Sequence, residues 1–333
     1  MARTPLRFGI LGAAAIAPAA IVAPCKSDPD AEVVAIAARQ LGRAKSFASK
    51  HDIGKVHPTY EALLADDEVD AVYIPLPNGL HGAWTVRSLE AGKHVLCEKP
   101  FTANATEAKE VAEFASTTDR VVMEAFHWRY HPMAARILEI VRSGEVGEIR
   151  HIEAALCFPL LKPHDIRWQL DLAGGAAMDA GCYPINMVRT VAGSEPTVER
   201  AEVKMTKGGV DRFARAELRF PGGATGSVLA SMLSTHVLAL HLRVRGSAGQ
   251  VKAFNPLMPK MGGSITVRTH TNRRRERHWP QSTYSCQLHA FVEAVRNGVQ
   301  FPSTAQDAVA NMAVIDALYR SAGVQPREPT PVR

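Results

Sequence analysis

Cysteine is scarce in this chain and cannot pair off: five residues, at 25, 97, 157, 182 and 286, form an odd number in no metal-ligand spacing. That excludes a disulfide scaffold and a cysteine-rich metal site as organising principles. Cys97 and Cys157 lie in apolar runs and read as small core residues, a usage that fits a reducing, cytoplasmic compartment. Long apolar runs are also missing. The nearest approach, Phe8 to Ala23, is interrupted by Gly9, Gly12 and Pro18. It therefore reads as a strand, a glycine turn and a helix start rather than a leader peptide, and no other segment is long enough to span a bilayer. Neither sign of charge dominates, since the net charge is +6 and the basic residues are dispersed. The exception is "NRRRER", residues 272–277. Basic strand edges discourage unwanted pairing, so a solvated loop or edge-strand end is expected there in preference to a nucleic-acid patch. Internal repeats and low-complexity linkers are absent as well.

What is present suits a globular enzyme. The 333 residues are 46% hydrophobic and 22% charged, enough for two cores rather than one. The first third alternates short apolar strands, "LRFGIL", "EVVAIAA", "DAVYIPL", "HVLCEK" and "RVVMEAF", with helical segments. Continuous Val- and Ile-rich strands of this kind make a parallel sheet covered on both faces, hence a doubly wound α/β (Rossmann) domain. After about residue 130 the rhythm changes to two helical segments, then long alternating strands, then two closing helices that each end at a glycine. This predicts an α+β domain with an open, mostly antiparallel sheet. The expected division is a dinucleotide-binding domain over residues 1–128 and a substrate-binding and oligomerisation domain over 129–333, with the proline-rich tail "VQPREPTPVR" loose at its end.

Between the first strand and the first helix stands "GILGAAAIA". Gly12, Ala14 and Ala17 occupy the three positions of a dinucleotide fingerprint, with alanine in place of the second glycine. Amides of Ala14, Ala15, Ile16 and Ala17 would face a pyrophosphate. At the end of the second strand, "IAARQLGRA" holds no acid for a ribose 2′-hydroxyl but offers Arg39 and Arg43. Two guanidiniums suit a 2′-phosphate, so NADP(H) is expected over NAD(H).

Strand C-terminal ends line the ligand crevice in such sheets. "YIPLPNGLH" brings Leu76, Pro77, Asn78 and His81 to that edge, and "HVLCEKP" brings Glu98 and Lys99. A lysine at the tip of a core strand, followed by a strand-ending proline, has no obvious use there.

At this point the chain resembles the glucose–fructose oxidoreductase / inositol dehydrogenase / rhizopine catabolism (Gfo/Idh/MocA) oxidoreductases. The matching segments are "GILGAAAIA", "AARQLGRA", "LPNGLH", "CEKPF", "EAFHWRYHP", "DIRW" and "GGAAMDAGCY", in the family's order over residues 9–183. The resemblance implies that Lys99 is catalytic, that the Lys99–Pro100 bond is cis, and that Asp179 and Tyr183 share the site. Tyr183 stands where many members carry histidine, which resembles the branch of dimeric dihydrodiol dehydrogenases and NADP-dependent D-xylose dehydrogenases. Asp179 and Tyr183, four apart, would share a helical face, although Pro184 disfavours helix at Tyr183. A Lys99 cation beside Tyr183 is expected to favour its phenolate. His127, Trp128, Arg129, Asp165, Arg167 and Trp168 are expected pocket-wall residues, tryptophan and arginine together suiting a polyhydroxylated ring.

The expected activity is hydride transfer between NADP(H) and a hydroxyl or carbonyl of a sugar, sugar derivative or cyclic vicinal diol. The expected assembly is a homodimer or homotetramer, with neither a metal, a nucleic acid nor a membrane as partner. Two other readings are weighed: a glycosidase that retains NAD(H) and oxidises transiently, and a non-catalytic dinucleotide-sensing regulator. The missing acid near Arg39 opposes the first, and the joint presence of Lys99 and Tyr183 opposes the second.

Overall fold

The computed structural model describes residues 4–332. Six parallel strands form the first sheet: β1 (Leu6–Leu11), β2 (Ala31–Ala37), β3 (Lys55–His57), β4 (Ala71–Ile74), β5 (His94–Cys97) and β6 (Val122–Glu124). Their spatial order is β3-β2-β1-β4-β5-β6, so the connections reverse direction between β1 and β4 and open a crevice there. Helices α1 (Ala23–Ser27), α2 (Leu41–His51), α3 (Tyr60–Leu64), α4 (His81–Glu90) and α5 (Ala105–Ala115) connect the strands. β4 and β5 are almost wholly buried, which explains their unbroken apolar sequence. β3, "KVH", is three half-buried residues at the sheet edge and carries no apolar pattern by which it could be read.

Helix α6 (Pro132–Arg142) leads into the second sheet, whose strands are β7 (Ile149–Cys157), β8 (Thr197–Met205), β9 (Asp211–Arg219), β10 (Thr225–Ser231), β11 (Ala239–Gly246), β12 (Gly249–Phe254), β13 (Ser264–Thr269) and β14 (Arg273–Glu276). The order is β14-β13-β12-β11-β7-β10-β9-β8. Every pairing is antiparallel except β7 with β10. The "NRRRER" run is edge strand β14, with Arg274 paired to Glu145 and Glu276. Polar residues of the half-exposed sheet face, such as Glu153 and Lys252, blur the apolar pattern of β7 and β12.

Three helices complete the chain: α7 (Cys182–Ala192), α8 (Thr283–Asn297) and α9 (Ala305–Ser321). Although it follows the second sheet, α8 packs Leu288, Phe291 and Val292 against Phe8, Ile10 and Ile21 of the first unit, with the Phe8 and Phe291 rings 5.6 Å apart. The tail is not loose. Arg327 is 4% exposed, its Nη2 lies 2.5 Å from Asp211 Oδ1, and its Nε donates to Gly174 O at 3.0 Å. Thr330 N donates to Gly79 O at 3.0 Å. The prolines keep this segment extended, and the polar residues between them find partners in both units. No helix among the described residues is long and apolar enough to cross a membrane.

Candidate active site

The crevice between β1 and β4 begins at Gly12. Its φ of +111° is a conformation that side chains resist, and a Cβ there would press on Leu76 at 3.0 Å. The turn continues through Ala14, whose amide returns to Gly12 O at 2.9 Å. Ala15 and Ile16 are exposed, and among the described residues no acceptor takes their amides. Such uncommitted donors at the mouth of a parallel sheet fit a pyrophosphate. Ala14 in place of glycine is half-buried and leaves the loop open. Arg39 lies exposed at the end of β2. Arg43, one turn into α2, donates to Ala13 O at 3.1 Å and so ties the loop to the second strand. No carboxylate stands at residues 38–44, so the pocket edge presents two cations and fits a 2′-phosphate rather than a bare ribose hydroxyl.

β5 delivers Glu98 and Lys99 to the same edge. The Lys99–Pro100 peptide is cis. Glu98 is buried and accepts from Tyr73 Oη at 2.7 Å. His81, expected to touch the cofactor, is 1% exposed and spends its ring on backbone: Nδ1 lies 2.7 Å from Pro100 O and Nε2 2.8 Å from Leu76 O. Burial, aided by the Lys99 charge, lowers its pKa to about 4 against the opposing pull of the two carbonyls. The ring braces the loop on which Lys99 sits.

A helical segment enters from the second unit. Residues Ala177–Gly181 wind as a π-helix and pass into α7 at Cys182. Pro184 falls in the first turn of α7, where a missing amide costs little, so the helix includes Tyr183. The Asp179 carbonyl accepts Lys99 Nζ at 3.2 Å. Lys99 Nζ also lies 5.2 Å from the centroid of the Tyr183 ring, a cation–π distance. Burial works against the ammonium, but the negative groups around it hold its pKa above the usual lysine value. Cys182, one of its neighbours, has its own thiol pushed up to about 12 by burial and is neutral, so Asp179 and Glu98 carry the effect.

The Asp179 side chain points elsewhere than its carbonyl. Oδ1 accepts from Asn78 Nδ2 at 3.2 Å, and Oδ2 from the Gly175 amide at 3.1 Å. Gly175 has a φ of +149°, and any side chain there would strike Asp211. Asn78, expected on the cofactor, thus bridges to the second unit, reaching Ala173 O as well. Burial raises the Asp179 pKa from the ordinary 3.8 to about 6, against the opposing pull of Lys99, Asn78 and Gly175.

Tyr183 departs from expectation. Burial drives its pKa well above the phenolic value, and the lysine faces its ring instead of its oxygen, so the phenol stays protonated. Its Oη lies 2.9 Å from His127 Nε2. His127, expected in the pocket wall, is 3% exposed and also meets Thr283 Oγ1 through Nδ1 at 2.9 Å. Two more expected wall residues lie elsewhere. Trp128 is buried in the core with its indole on Asn186 Oδ1 at 2.9 Å. Arg129 is committed to Asp307 at 2.5 Å and to Pro302 O at 3.1 Å. Alternate residues of this short 3₁₀ turn face different neighbours, so adjacency in sequence does not imply a shared wall. Asp165 and Arg167 are joined to each other in a fork at 2.8 and 3.0 Å. The Arg167 charge bears on Lys99 and Asp179, and Trp168 and Phe158 pack against Leu160, Ala176 and Met232. Tyr73, Thr283 and Tyr284, none of them singled out from sequence, complete the surroundings; the Tyr284 and His127 rings are 4.3 Å apart.

Residues 6–126 match the model described as an oxidoreductase family with an NAD-binding Rossmann fold, and residues 134–252 match the GFO/IDH/MocA C-terminal domain. A D-xylose 1-dehydrogenase (NADP(+)) of Haloferax volcanii is 36% identical over 95% of this chain and 97% of its own. A trans-1,2-dihydrobenzene-1,2-diol dehydrogenase of Sus scrofa is 34% identical over 68% of this chain and 67% of its own. The crystal structure of a 3-ketoreductase from Actinomadura kijaniata, in complex with NADP and TDP-benzene, superposes with a TM-score of 0.89 at 30% identity. It covers 97% of this chain and 98% of that one.

Proposed function

The chain belongs to the GFO/IDH/MocA oxidoreductase family, and on that footing we propose that it is an NADP(H)-dependent dehydrogenase or reductase acting on a hydroxyl or carbonyl of a sugar, sugar derivative or cyclic vicinal diol. The single observation that carries this reading is the Lys99 ammonium set between the Asp179 carbonyl and the face of the Tyr183 ring at the edge of a dinucleotide crevice. The bound cofactor supplies the site for hydride exchange. The uncommitted amides of Ala15 and Ile16, with Gly12, Ala14 and Ala17, would hold its pyrophosphate, and Arg39 and Arg43 its 2′-phosphate. Leu76, Pro77 and Glu98 would line its nicotinamide end.

In this reading the chain's own groups manage charge and protons. Lys99 polarises the substrate oxygen and stabilises negative charge that gathers on it. Tyr183 takes the hydroxyl proton in oxidation and returns it in reduction. Asp179 holds Asn78 and the Gly175 backbone so that the two units meet in one register. Asp165, Arg167 and Trp168 receive the polyhydroxylated substrate, the indole face against its apolar side. The functional division follows the two sheets, with residues 1–128 for the dinucleotide and 129–333 for substrate and self-association. Half-exposed Glu202, His241 and Arg243 on the second sheet's outer face support a homodimer or homotetramer through that face. A cytoplasmic site of action accords with five free cysteines, four of them buried.

The test is spectrophotometric: purified protein, NADP+ or NAD+, and a panel of aldoses and cyclic diols. Formation of NADPH with at least one substrate is expected. Cofactor that stays bound without net turnover would favour a transient-oxidation glycosidase, and neither binding nor turnover would favour a regulator.

A further inference from the structure

A buried phenol accepts a substrate proton only if its own proton has somewhere to go. The hydrogen bonds behind Tyr183 settle where. Thr283 is the end of the chain of contacts, and its single hydroxyl proton goes to Leu257 O at 3.1 Å. Its oxygen is therefore left to accept from His127, which fixes the proton of that ring on Nδ1. With Nδ1 protonated and the ring neutral, Nε2 is a bare acceptor facing Tyr183 Oη at 2.9 Å. Burial, with Lys99 and His131 nearby, lowers the His127 pKa to about 3, consistent with a neutral ring. The Tyr183 hydroxyl thus points its proton at His127, away from the crevice, and keeps a lone pair free for the substrate.

We infer that His127 is the positioning residue that makes Tyr183 a proton acceptor, with Thr283 and the Leu257 carbonyl locking the imidazole tautomer this requires. In oxidation the substrate O–H bond breaks and its proton bonds to Tyr183 Oη. At the same time the Tyr183 O–H proton moves to His127 Nε2, while the electron pair of the substrate C–H bond leaves as hydride to the nicotinamide of the cofactor. The imidazolium so formed is disfavoured where it is buried, so once product departs Nε2 returns its proton to Tyr183 Oη as Oη releases the substrate's proton to water entering the crevice. Reduction runs the same transfers in reverse. The inference rests on Tyr183 being the acid–base group of the proposed reaction.

Two measurements test it. In 15N-labelled protein, the His127 ring is expected to show a protonated Nδ1 and an unprotonated Nε2 at neutral pH, without any cofactor bound. The opposite tautomer would overturn the assignment. In steady-state kinetics His127→Leu is expected to lower kcat roughly 10- to 100-fold with KM for sugar and NADP+ within about twofold. His127→Gln, whose amide oxygen reaches the Nε2 position, is expected to recover a substantial part of that loss and controls for folding. In a Tyr183→Phe background, His127→Leu is expected to cost nothing more. An equal loss in both backgrounds, or wild-type kcat in His127→Leu, would overturn the role of His127 alone. Wild-type turnover by Tyr183→Phe would instead overturn the reading of Tyr183 on which it stands.

Discussion

The two ends of the crevice are built on opposite plans. At the phosphate end the chain offers backbone amides of one continuous loop and two exposed arginines, Arg39 and Arg43, one turn apart. At the reacting end it offers buried side chains from distant segments: Lys99 after β5, His127 after β6, Tyr183 in α7 and Thr283 at the start of α8. The first plan needs only local geometry, because a glycine turn and a strand end already place the donors. The second needs the whole fold, since a neutral histidine becomes useful only once a threonine 156 positions away has fixed its tautomer. Exposed charges grip a charged ligand at little cost to stability. Buried groups do chemistry but must be fully partnered to be tolerated at all.

That contrast can be broken from the reacting end first. Lys99→Ala should lower hydride transfer by about 1000-fold or more, as loss of a preorganised charge at the reacting oxygen does, while NADPH titration by fluorescence still shows binding. Abolished binding would mean that the two ends are one site without separate tasks. Next comes the strap between the units. The Arg327 and Asp211 side chains are 3% and 0% exposed, and Asp211 also receives Tyr319 Oη and the Ala177 amide. Arg327→Met should destabilise the fold by about 3–5 kcal/mol by stranding a buried carboxylate, read as a shifted denaturant midpoint. An unchanged midpoint would show that the tail merely lies on the surface.

At the phosphate end the expected effect is smaller. Arg39→Ala should weaken NADPH by roughly 10- to 100-fold, the worth of one charge-assisted contact, and leave NADH nearly unchanged in calorimetric titrations. Equal losses for both would remove the 2′-phosphate assignment. The smallest effect is a pH dependence. Asp179 titrates near 6, so kcat/KM should fall below that pH as the carboxylate gains a proton beside Lys99, and Asp179→Asn should flatten this limb. The same raised pKa makes stability fall as pH rises from about 3.8 to about 6, because over that window the folded chain holds a proton the unfolded chain has released. Chemical denaturation of Asp179→Asn at several pH values should lack this slope.

The same contrast explains what could be read in advance. The α/β alternation, the Gly12 turn, the absent acid near Arg39 and the tip of β5 are contiguous patterns, and each lies where its pattern implies. "EAFHWRYHP" was harder to read. Its aromatic and basic residues look like one pocket wall, yet His127 turns to Tyr183, Trp128 to Asn186 and Arg129 to Asp307. Their partners are 56, 58 and 178 positions away, and no local spacing encodes such meetings. Pro184 reads as an obstacle to helix at Tyr183, but it falls in the first turn of α7, where its missing amide costs little. The proline-rich tail shows the limit of composition, since its fixed places come from Arg327 and Thr330 rather than from the prolines between them.

The central claim is that Lys99 and Tyr183 carry hydride exchange with a nicotinamide phosphate cofactor, and its most direct test is the appearance of NADPH absorbance when the protein meets NADP+ and the panel of aldoses and cyclic diols. The account predicts turnover by the wild-type protein with at least one of these substrates, faster with NADP+ than with NAD+, and none measurable for Lys99→Ala. Turnover by Lys99→Ala at the wild-type rate would contradict it.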